Sequence, residues 1–345
     1  MIISKTPYRI SFFGGGTDYP DWYLKEGGAV LSTSIDKYSY ISCRILPPFS
    51  QTKYRIVWSH IENVSTINEI LHPTIREGLK YFGVNGKYGG MEIHHQGDLP
   101  DRSGMGSSSS FAVGFIRAIA SLNGQILGNH ELALKAIEFE QTVLKESVGS
   151  QDQIAAAYGG FNVIRFYQNG DIKVEPVTIS APKIRELESH LMMIYTGTSR
   201  LSSELASDII SNLHNKKNVL YKMHSFVDRA IEILNNSECS HDFGELLHET
   251  WILKQSLSKN ISNSSIKKIY QTALANGAIG GKLLGAGSSG FMIFYVPLDK
   301  QKQVKDALQG FLHIPFKFER QGCTIIHYND TDTYSDSIYT SPKSN

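Results

Sequence analysis

The densest chemical signal in the chain is Pro100-x-x-x-Gly104-Met105-Gly106-Ser107-Ser108-Ser109-Ser110. Glycines that let the backbone come close to a ligand, followed at once by a helix N-terminus, make an anion site. Unpaired N–H groups point outward there, and the helix dipole adds partial positive charge. Hydroxyls in the first turn can bond phosphate or complete a magnesium shell. The segment is not a Walker A loop, because Gly-Lys-Ser/Thr is missing. A flexible turn closed by a serine N-cap is the plainer reading, but one cap needs one serine and four stand here.

Two more segments carry glycines and polar side chains at close spacing. Pro7-Tyr8-Arg9-Ile10-Ser11-Phe12-Phe13-Gly14-Gly15-Gly16-Thr17-Asp18-Tyr19 lies near the N-terminus, and Lys282-Leu283-Leu284-Gly285-Ala286-Gly287-Ser288-Ser289-Gly290 lies near the C-terminus. In order and spacing the three segments resemble the signatures of the GHMP kinases, the family of galactokinase, homoserine kinase, mevalonate kinase and phosphomevalonate kinase. Met105 stands where the family usually has Leu, and Ser109-Ser110 where it has small alanines. Gly15-Gly16 replaces the Glu-His pair of galactokinases, which makes the first segment similar to the D-glycero-D-manno-heptose 7-phosphate kinases and, more distantly, to fucokinase domains.

The resemblance covers essentially the whole chain. It implies an α+β, two-domain GHMP kinase fold, with a ribosomal-S5-like N-terminal domain over 1–183 and a ferredoxin-like C-terminal domain over 184–345. The implied activity is ATP-dependent phosphorylation of the anomeric C1 hydroxyl of D-glycero-D-manno-heptose 7-phosphate, giving the 1,7-bisphosphate for nucleotide-activated heptose, with ATP and Mg2+ as cofactors. A kinase of another sugar, L-fucose or galactose, and a catalytically silent sugar sensor on the same fold are the alternatives.

The resemblance also assigns residues. Pro100 and residues 104–110 are expected to cradle the nucleotide phosphates, with Gly285, Gly287 and Ser288 closing over them from the second domain, unless these form a plain turn. Asp152, in Gly149-Ser150-Gln151-Asp152-Gln153, matches the aspartate that faces the reacting hydroxyl and would accept or orient its proton. A cap on a short helix over 151–157 is its bland role. Arg9 is the matching partner, set to neutralise charge on the transferring phosphoryl group; a strand arginine reaching solvent is the alternative. Glu140, twelve residues before Asp152, and Ser108 match the magnesium ligands. Glu138 lies two residues from Glu140 on the same predicted helix and so faces elsewhere. Asp18 matches the substrate aspartate, which can accept from two vicinal hydroxyls; a turn residue before Pro20 would look the same. Gly15, Gly16 and Thr17 either admit the sugar or form a tight turn. Thr198 and Arg200 follow a strand and suit a sugar phosphate, though a surface salt bridge serves Arg200 as well. Lys37, Arg44 and Arg102 are further phosphate candidates.

The elements that must hold these groups are legible in part. Strands are expected at 9–13, 29–35, 38–45, 54–58 and 91–95 from β-branched and aromatic runs. Helical spacing begins near 66, through Ile67, Ile70, Leu71, Ile75 and Leu79. It is strongest after the serines, where Phe111, Phe115, Ala118, Ile119 and Leu122 share a face. Another helix is expected over 131–145, and a hairpin over 161–179 around Asn169-Gly170. The second half reads as helices over 201–234 and 243–257, strands at 191–195 and 290–296, a helix over 301–309 and a strand at 323–327. A frayed tail is expected beyond Asp330.

Composition bounds the function. With 41% hydrophobic and 19% charged residues in 345, the chain is globular rather than disordered and sized for about two domains. A net charge of +1 gives no bulk field for a polyanion, so neither nucleic acid nor an anionic membrane is the expected partner, although the S5-like fold also occurs in ribosomes. The expected partner is a small-molecule sugar phosphate, and the expected assembly a monomer or homodimer. Three cysteines without a C-x-x-C exclude a disulfide framework and a cysteine zinc site, and point to a reducing, cytoplasmic setting. No stretch is apolar enough for a signal peptide or a membrane span. The pairs His94-His95 and His241/His248 do not form a metal triad.

Overall fold

The computed structural model describes residues 1–47, 49–84, 90–197, 210–211, 213–235 and 241–329. The first half is organised by two long strands, β1 (Ile2–Phe13) and β2 (Gly28–Ile45), antiparallel from Ile2 opposite Cys43 to Phe13 opposite Leu31. The short helix α1 (Pro20–Glu26) joins them. Then come β3 (Tyr54–Val57), β4 (Ile61–Val64), α2 (Pro73–Tyr81), β5 (Met91–Gly97), α3 (Ser107–Leu122), α4 (Asn129–Glu138), α5 (Gln151–Tyr158), β6 (Phe161–Phe166) and β7 (Ile172–Pro176). The expected helix from 66 is split, because Pro73 sits in the first turn of α2 and only a 3-10 turn, Ile67–Glu69, precedes it.

The second half runs α6 (Ala181–His190), β8 (Leu191–Tyr195), α7 (Lys217–Asn235), α8 (His241–Gln255), α9 (Ser264–Ala275), β9 (Gly280–Leu283), β10 (Phe291–Tyr295), α10 (Gln301–Ala307) and β11 (Leu312–Ile314). Its antiparallel sheet has the order β11-β8-β10-β9. Helices separate β8 from β9 and β10 from β11, so this is the βαββαβ pattern of a ferredoxin-like domain. The start of the expected 201–234 helix and the tail beyond 330 lie outside the described residues.

Residues 318–328, expected with the C-terminal domain, return to the first sheet. There β12 (Phe318–Glu319) pairs with β2, and β13 (Thr324–Tyr328) covers the outer edge of β1. An edge strand exposes a row of unpaired backbone groups, and this return pairs one such row. The first sheet thereby has nine strands, in the order β13-β1-β2-β5-β3-β4, with β6 and β12 also on β2 and β7 on β6. Against it lies α3, close enough that a Cβ on Gly114 would stand 2.7 Å from Thr6 Oγ1. The two halves share apolar packing. Phe12 and Phe13 of β1 meet Phe243 of α8 edge to face, with ring centroids 5.5 and 5.1 Å apart.

Candidate active site

The four serines do not cap α3. Gly106 is the N-cap, in the left-handed region at φ +73°, and no side-chain cap bonds the first-turn N–H groups among the described residues. Ser107 to Ser110 form the first turn itself, so the amide end of a sixteen-residue helix stays open to a ligand. Gly104 is also left-handed, at φ +80°, and a Cβ there would lie 2.5 Å from the Leu284 carbonyl oxygen. A Cβ on Gly285 would lie 2.3 Å from Gly104 Cα, and one on Gly290 would lie 2.1 Å from the Ser103 carbonyl oxygen. The third glycine-rich segment therefore packs directly on the loop, and only glycines permit that approach.

Between these segments lies a cavity of about 460 Å³ lined by both halves of the chain. Arg9, on β1, is 4% exposed at its edge. Its Nε and Nη2 donate to the two carboxylate oxygens of Asp152 at 2.7 Å each, and its Nη1 donates to the Gly104 carbonyl at 2.7 Å. This fork fixes the carboxylate in orientation as well as position. A Cβ built on Gly106 would stand 3.3 Å from Asp152 Oδ2, so the carboxylate faces the mouth of the amide cradle. Asp152 lies in the first turn of α5, whose N-cap is Ser150, so it is not that helix's cap.

Asp18 lines the same cavity and is 2% exposed. The Gly16 amide donates to its Oδ1 at 3.0 Å. Burial, then the neighbouring Asp152 charge, push its carboxyl above the usual range, against the Gly16 and Gln151 hydrogen bonds. Gly149 leaves it room, since a Cβ there would fall 1.9 Å from Asp18 Oδ2. Beside Gly15, the Ser11 hydroxyl and Gln151 Oε1 line the cavity and are buried with no hydrogen-bond partner among the described residues. Orphaned buried polar atoms are costly. Here they and the Asp18 carboxylate offer donors and acceptors of the kind sugar hydroxyls pair with.

The expected helix over 131–145 is α-helical only to Glu138 and then forms a π-turn, Phe139–Val143. The wider turn carries Glu140 inward while Glu138 stays exposed and accepts from Tyr81 Oη. Glu140 is fully buried and accepts from Ser108 Oγ at 2.9 Å, Ser109 Oγ at 2.7 Å and Gln153 Nε2 at 2.6 Å. Burial pushes its carboxyl up to about 7, and no cation among the described residues pairs with it. Ser108 Oγ also lies 3.5 Å from Glu146 Oε2, whose carboxyl burial likewise raises. Two desolvated carboxylates meeting at one hydroxyl, beside an open amide end, form an oxygen donor set that fits a divalent hard cation.

Other expected positions fall away from the cavity. Thr17 is fully buried, and its hydroxyl donates to the Gly14 and Ala29 carbonyls, stitching the turn. Ser110 Oγ donates to the Pro7 carbonyl, Met105 packs in the core and Pro100 is exposed. Ser288 turns to Ile261 and Asn263, and Gly287 packs on Ile261. Ser107, Ser108, Ser109, Gly15, Gly16 and Gly285 do line the cavity, as does Arg102. Lys37 pairs with Asp36 and Arg44 with Glu92 instead. Thr198 and Arg200 lie outside the described residues.

Ser11, Gln151, Glu146, Lys254 and Lys282 carry no role in the sequence reading, yet all line the cavity. Lys254 had a visible signal. It comes after Leu247 and Trp251 at i+7 and i+3, on the apolar stripe of α8, where an ordinary lysine does not belong.

Residues 69–160 match the model for the GHMP kinases N terminal domain, and residues 238–314 match the GHMP kinases C terminal model. The chain is 30% identical to a D-glycero-alpha-D-manno-heptose 7-phosphate kinase of Campylobacter jejuni, over 93% of this chain and 97% of that protein. It is 25% identical to the bifunctional fucokinase/GDP-fucose pyrophosphorylase of Arabidopsis thaliana, over 88% of this chain and 31% of that longer protein. Among solved structures, a D-glycero-D-manno-heptose 1-phosphate kinase from Bacteroides thetaiotaomicron superposes with a TM-score of 0.71 at 24% identity, over 96% of this chain and all of that one.

Proposed function

We propose, from the premise that this chain belongs to the GHMP kinase family, that it is an ATP-dependent sugar kinase whose acceptor is D-glycero-D-manno-heptose 7-phosphate and whose product is the 1,7-bisphosphate. The carrying observation is the Arg9–Asp152 fork beside the amide cradle, which holds a carboxylate against the place where a terminal phosphoryl group would lie. Likeness to a heptose 7-phosphate kinase over nearly the whole chain supports the choice of acceptor.

In this reading the first-turn amides of α3 and Ser107 grip the β- and γ-phosphates. The acceptor rests on Asp18, Ser11 and Gln151 with its C1 hydroxyl at Asp152. As the oxygen attacks the γ-phosphorus, its proton passes to the carboxylate, the bond from that phosphorus to the β,γ-bridging oxygen breaks and ADP leaves with the electron pair, and Arg9 with the open amides balances charge on the equatorial oxygens. Ser108, Glu140 and Glu146 would hold Mg2+, which when bound supplies charge neutralisation between the phosphates. Cytoplasmic residence fits such a reaction; no helix among the described residues is long and apolar enough to cross a membrane.

A panel of sugars and sugar 7-phosphates with ATP and magnesium, scored by ADP release and by NMR of the new phosphate, tests this. Turnover should be highest on the heptose 7-phosphate with the new ester at C1. Preference for L-fucose or galactose would replace the substrate, and no turnover on any sugar would replace the reaction.

A further inference from the structure

Two buried lysines on the cavity wall have no counter-charge in the described protein. Lys254, on α8, is 8% exposed and Lys282, on β9, is 3% exposed. Lys254 Nζ donates to the Leu283 carbonyl at 2.9 Å and to the Gly285 carbonyl. Lys282 Nζ crosses from the second half to the first, donating to the Ser11 carbonyl at 2.9 Å and the Phe12 carbonyl at 2.7 Å. Those carbonyls sit at a register irregularity of β1, on the strand that runs on into Gly15 and Asp18. An ammonium has three donors, and the third of each has no acceptor among the described residues. No carboxylate among the described residues pairs with either lysine, and the nearby Arg9 is already committed to Asp152.

A buried, unpaired cation is among the least favourable features a protein can keep, and here two lie close together. Burial, then Arg9, lowers Lys254 to about 7; burial, then Lys254 and Arg9, lowers Lys282 well below its usual value. Hydrogen bonding to backbone carbonyls does not explain the pair, because a neutral amide or hydroxyl would satisfy carbonyls without the charge. The nucleotide has partners of its own. Its phosphates have the amide end of α3, with Arg102 and Lys145 on the exposed rim of the cavity.

We propose that Lys254 and Lys282 are the subsite for an anionic group of the acceptor, a phosphate ester, so that the protein selects a phosphorylated sugar over the same sugar without its phosphate. Ammonium groups serve phosphate as point charges, and a dianion seated between them removes the penalty of their burial. This subsite rests on the reading of the cavity as that of a sugar kinase, and identifies which cations would read the acceptor's own phosphate.

The test compares kcat/KM for heptose 7-phosphate and for unphosphorylated heptose in the full-length chain and in Lys254→Met and Lys282→Met. Lys254→Gln and Lys282→Gln are carried beside them, because the amide keeps a donor for the carbonyls should the methionine variants misfold. The wild-type chain should favour the phosphorylated sugar, and each variant should lower that preference about 10- to 100-fold with the KM for ATP changed less than about threefold. Titration calorimetry of the wild-type chain without nucleotide should show at least about tenfold tighter binding of the phosphorylated sugar. Equal losses on both acceptors would overturn the proposal and move the lysines to the transferring phosphoryl group or to packing. A wild-type chain indifferent to the acceptor's phosphate would overturn it while leaving the sugar-kinase reading intact. Absence of turnover on every sugar would instead fell that reading and the subsite with it.

Discussion

Gly149→Ala adds a single methyl group against the carboxylate on which the proposed acceptor would rest. The new Cβ would fall 1.9 Å from Asp18 Oδ2 and 2.7 Å from its Cγ. Ordinary carbon–oxygen contact needs roughly 3.3 Å, so the carboxylate must withdraw by roughly 1.4 Å. Asp18 is buried and held by the Gly16 amide at 3.0 Å, so withdrawal breaks that bond and turns the carboxylate away from the cavity. Overpacking of this kind costs about 1–3 kcal/mol of stability, and a displacement of about 1 Å at a positioning group costs on the order of 100-fold in rate. Steady-state kinetics with each substrate varied in turn should show kcat/KM for the sugar down on the order of 100-fold and the KM for ATP within about threefold of wild type. Gly310→Ala is the control, since a Cβ there meets nothing within 4 Å, and it should leave both constants unchanged. A folded Gly149→Ala protein with wild-type sugar kinetics would refute the placing of the acceptor on Asp18.

Three other perturbations probe the rest of the site. Asp152→Asn should lower kcat by about 10²- to 10⁴-fold, with ATP affinity by calorimetry within about threefold of wild type; near-normal turnover would remove Asp152 as the proton acceptor. Arg9→Lys keeps the charge but loses the fork to Asp152 and the bond to Gly104, and should cost on the order of 100-fold in kcat, a loss that steady-state assays should find at every ionic strength. The Glu140 carboxyl is raised to about 7, so its contribution to the stability of the metal-free protein is fully present below about 4.5 and is lost as pH rises through about 7. Glu140→Gln should therefore be more stable than wild type at pH 8, by about 3 kcal/mol at most, and no more stable at pH 4.5; denaturant titration without magnesium at both pH values reads the difference.

Each signal in the sequence reaches only as far as its physical range. Motif order groups the 104–110 loop, Arg9 and Asp152, and the fold brings the same residues to one cavity. The caps could not be read this way. Serine is a good cap, but the chain spends its left-handed glycine on that position and so moves all four hydroxyls into the first turn. Thr17 could not be separated from Gly15 and Gly16, because only the fold shows its hydroxyl closing on Ala29 rather than facing the cavity. The π-turn that swings Glu140 inward has no periodic signature, since one extra residue in one turn is invisible to a helical pattern. The return of residues 318–328 to the first sheet is equally silent, being a pairing across more than 270 positions that only the finished sheet defines.

Five groups at the site share one property: each is polar, buried and incompletely satisfied among the described residues. The Ser11 hydroxyl and Gln151 Oε1 lack partners, Lys254 and Lys282 lack counter-charges, and Glu140 lacks a cation among the described residues. Each weakens the empty protein, and a fold selected for stability alone would have replaced it by an apolar residue of similar volume. Four of the five line one 460 Å³ cavity, and Glu140 accepts from Ser108 and Ser109 on its wall, so on the proposed reading the missing partners would arrive together. On that reading a phosphorylated polyol, a nucleotide and a divalent cation would supply hydroxyls, dianions and charge in the places where the protein withholds them. Preorganisation of this kind is the larger part of phosphoryl-transfer catalysis, because dipoles already aimed and desolvated need no reorientation when the bond to phosphorus forms.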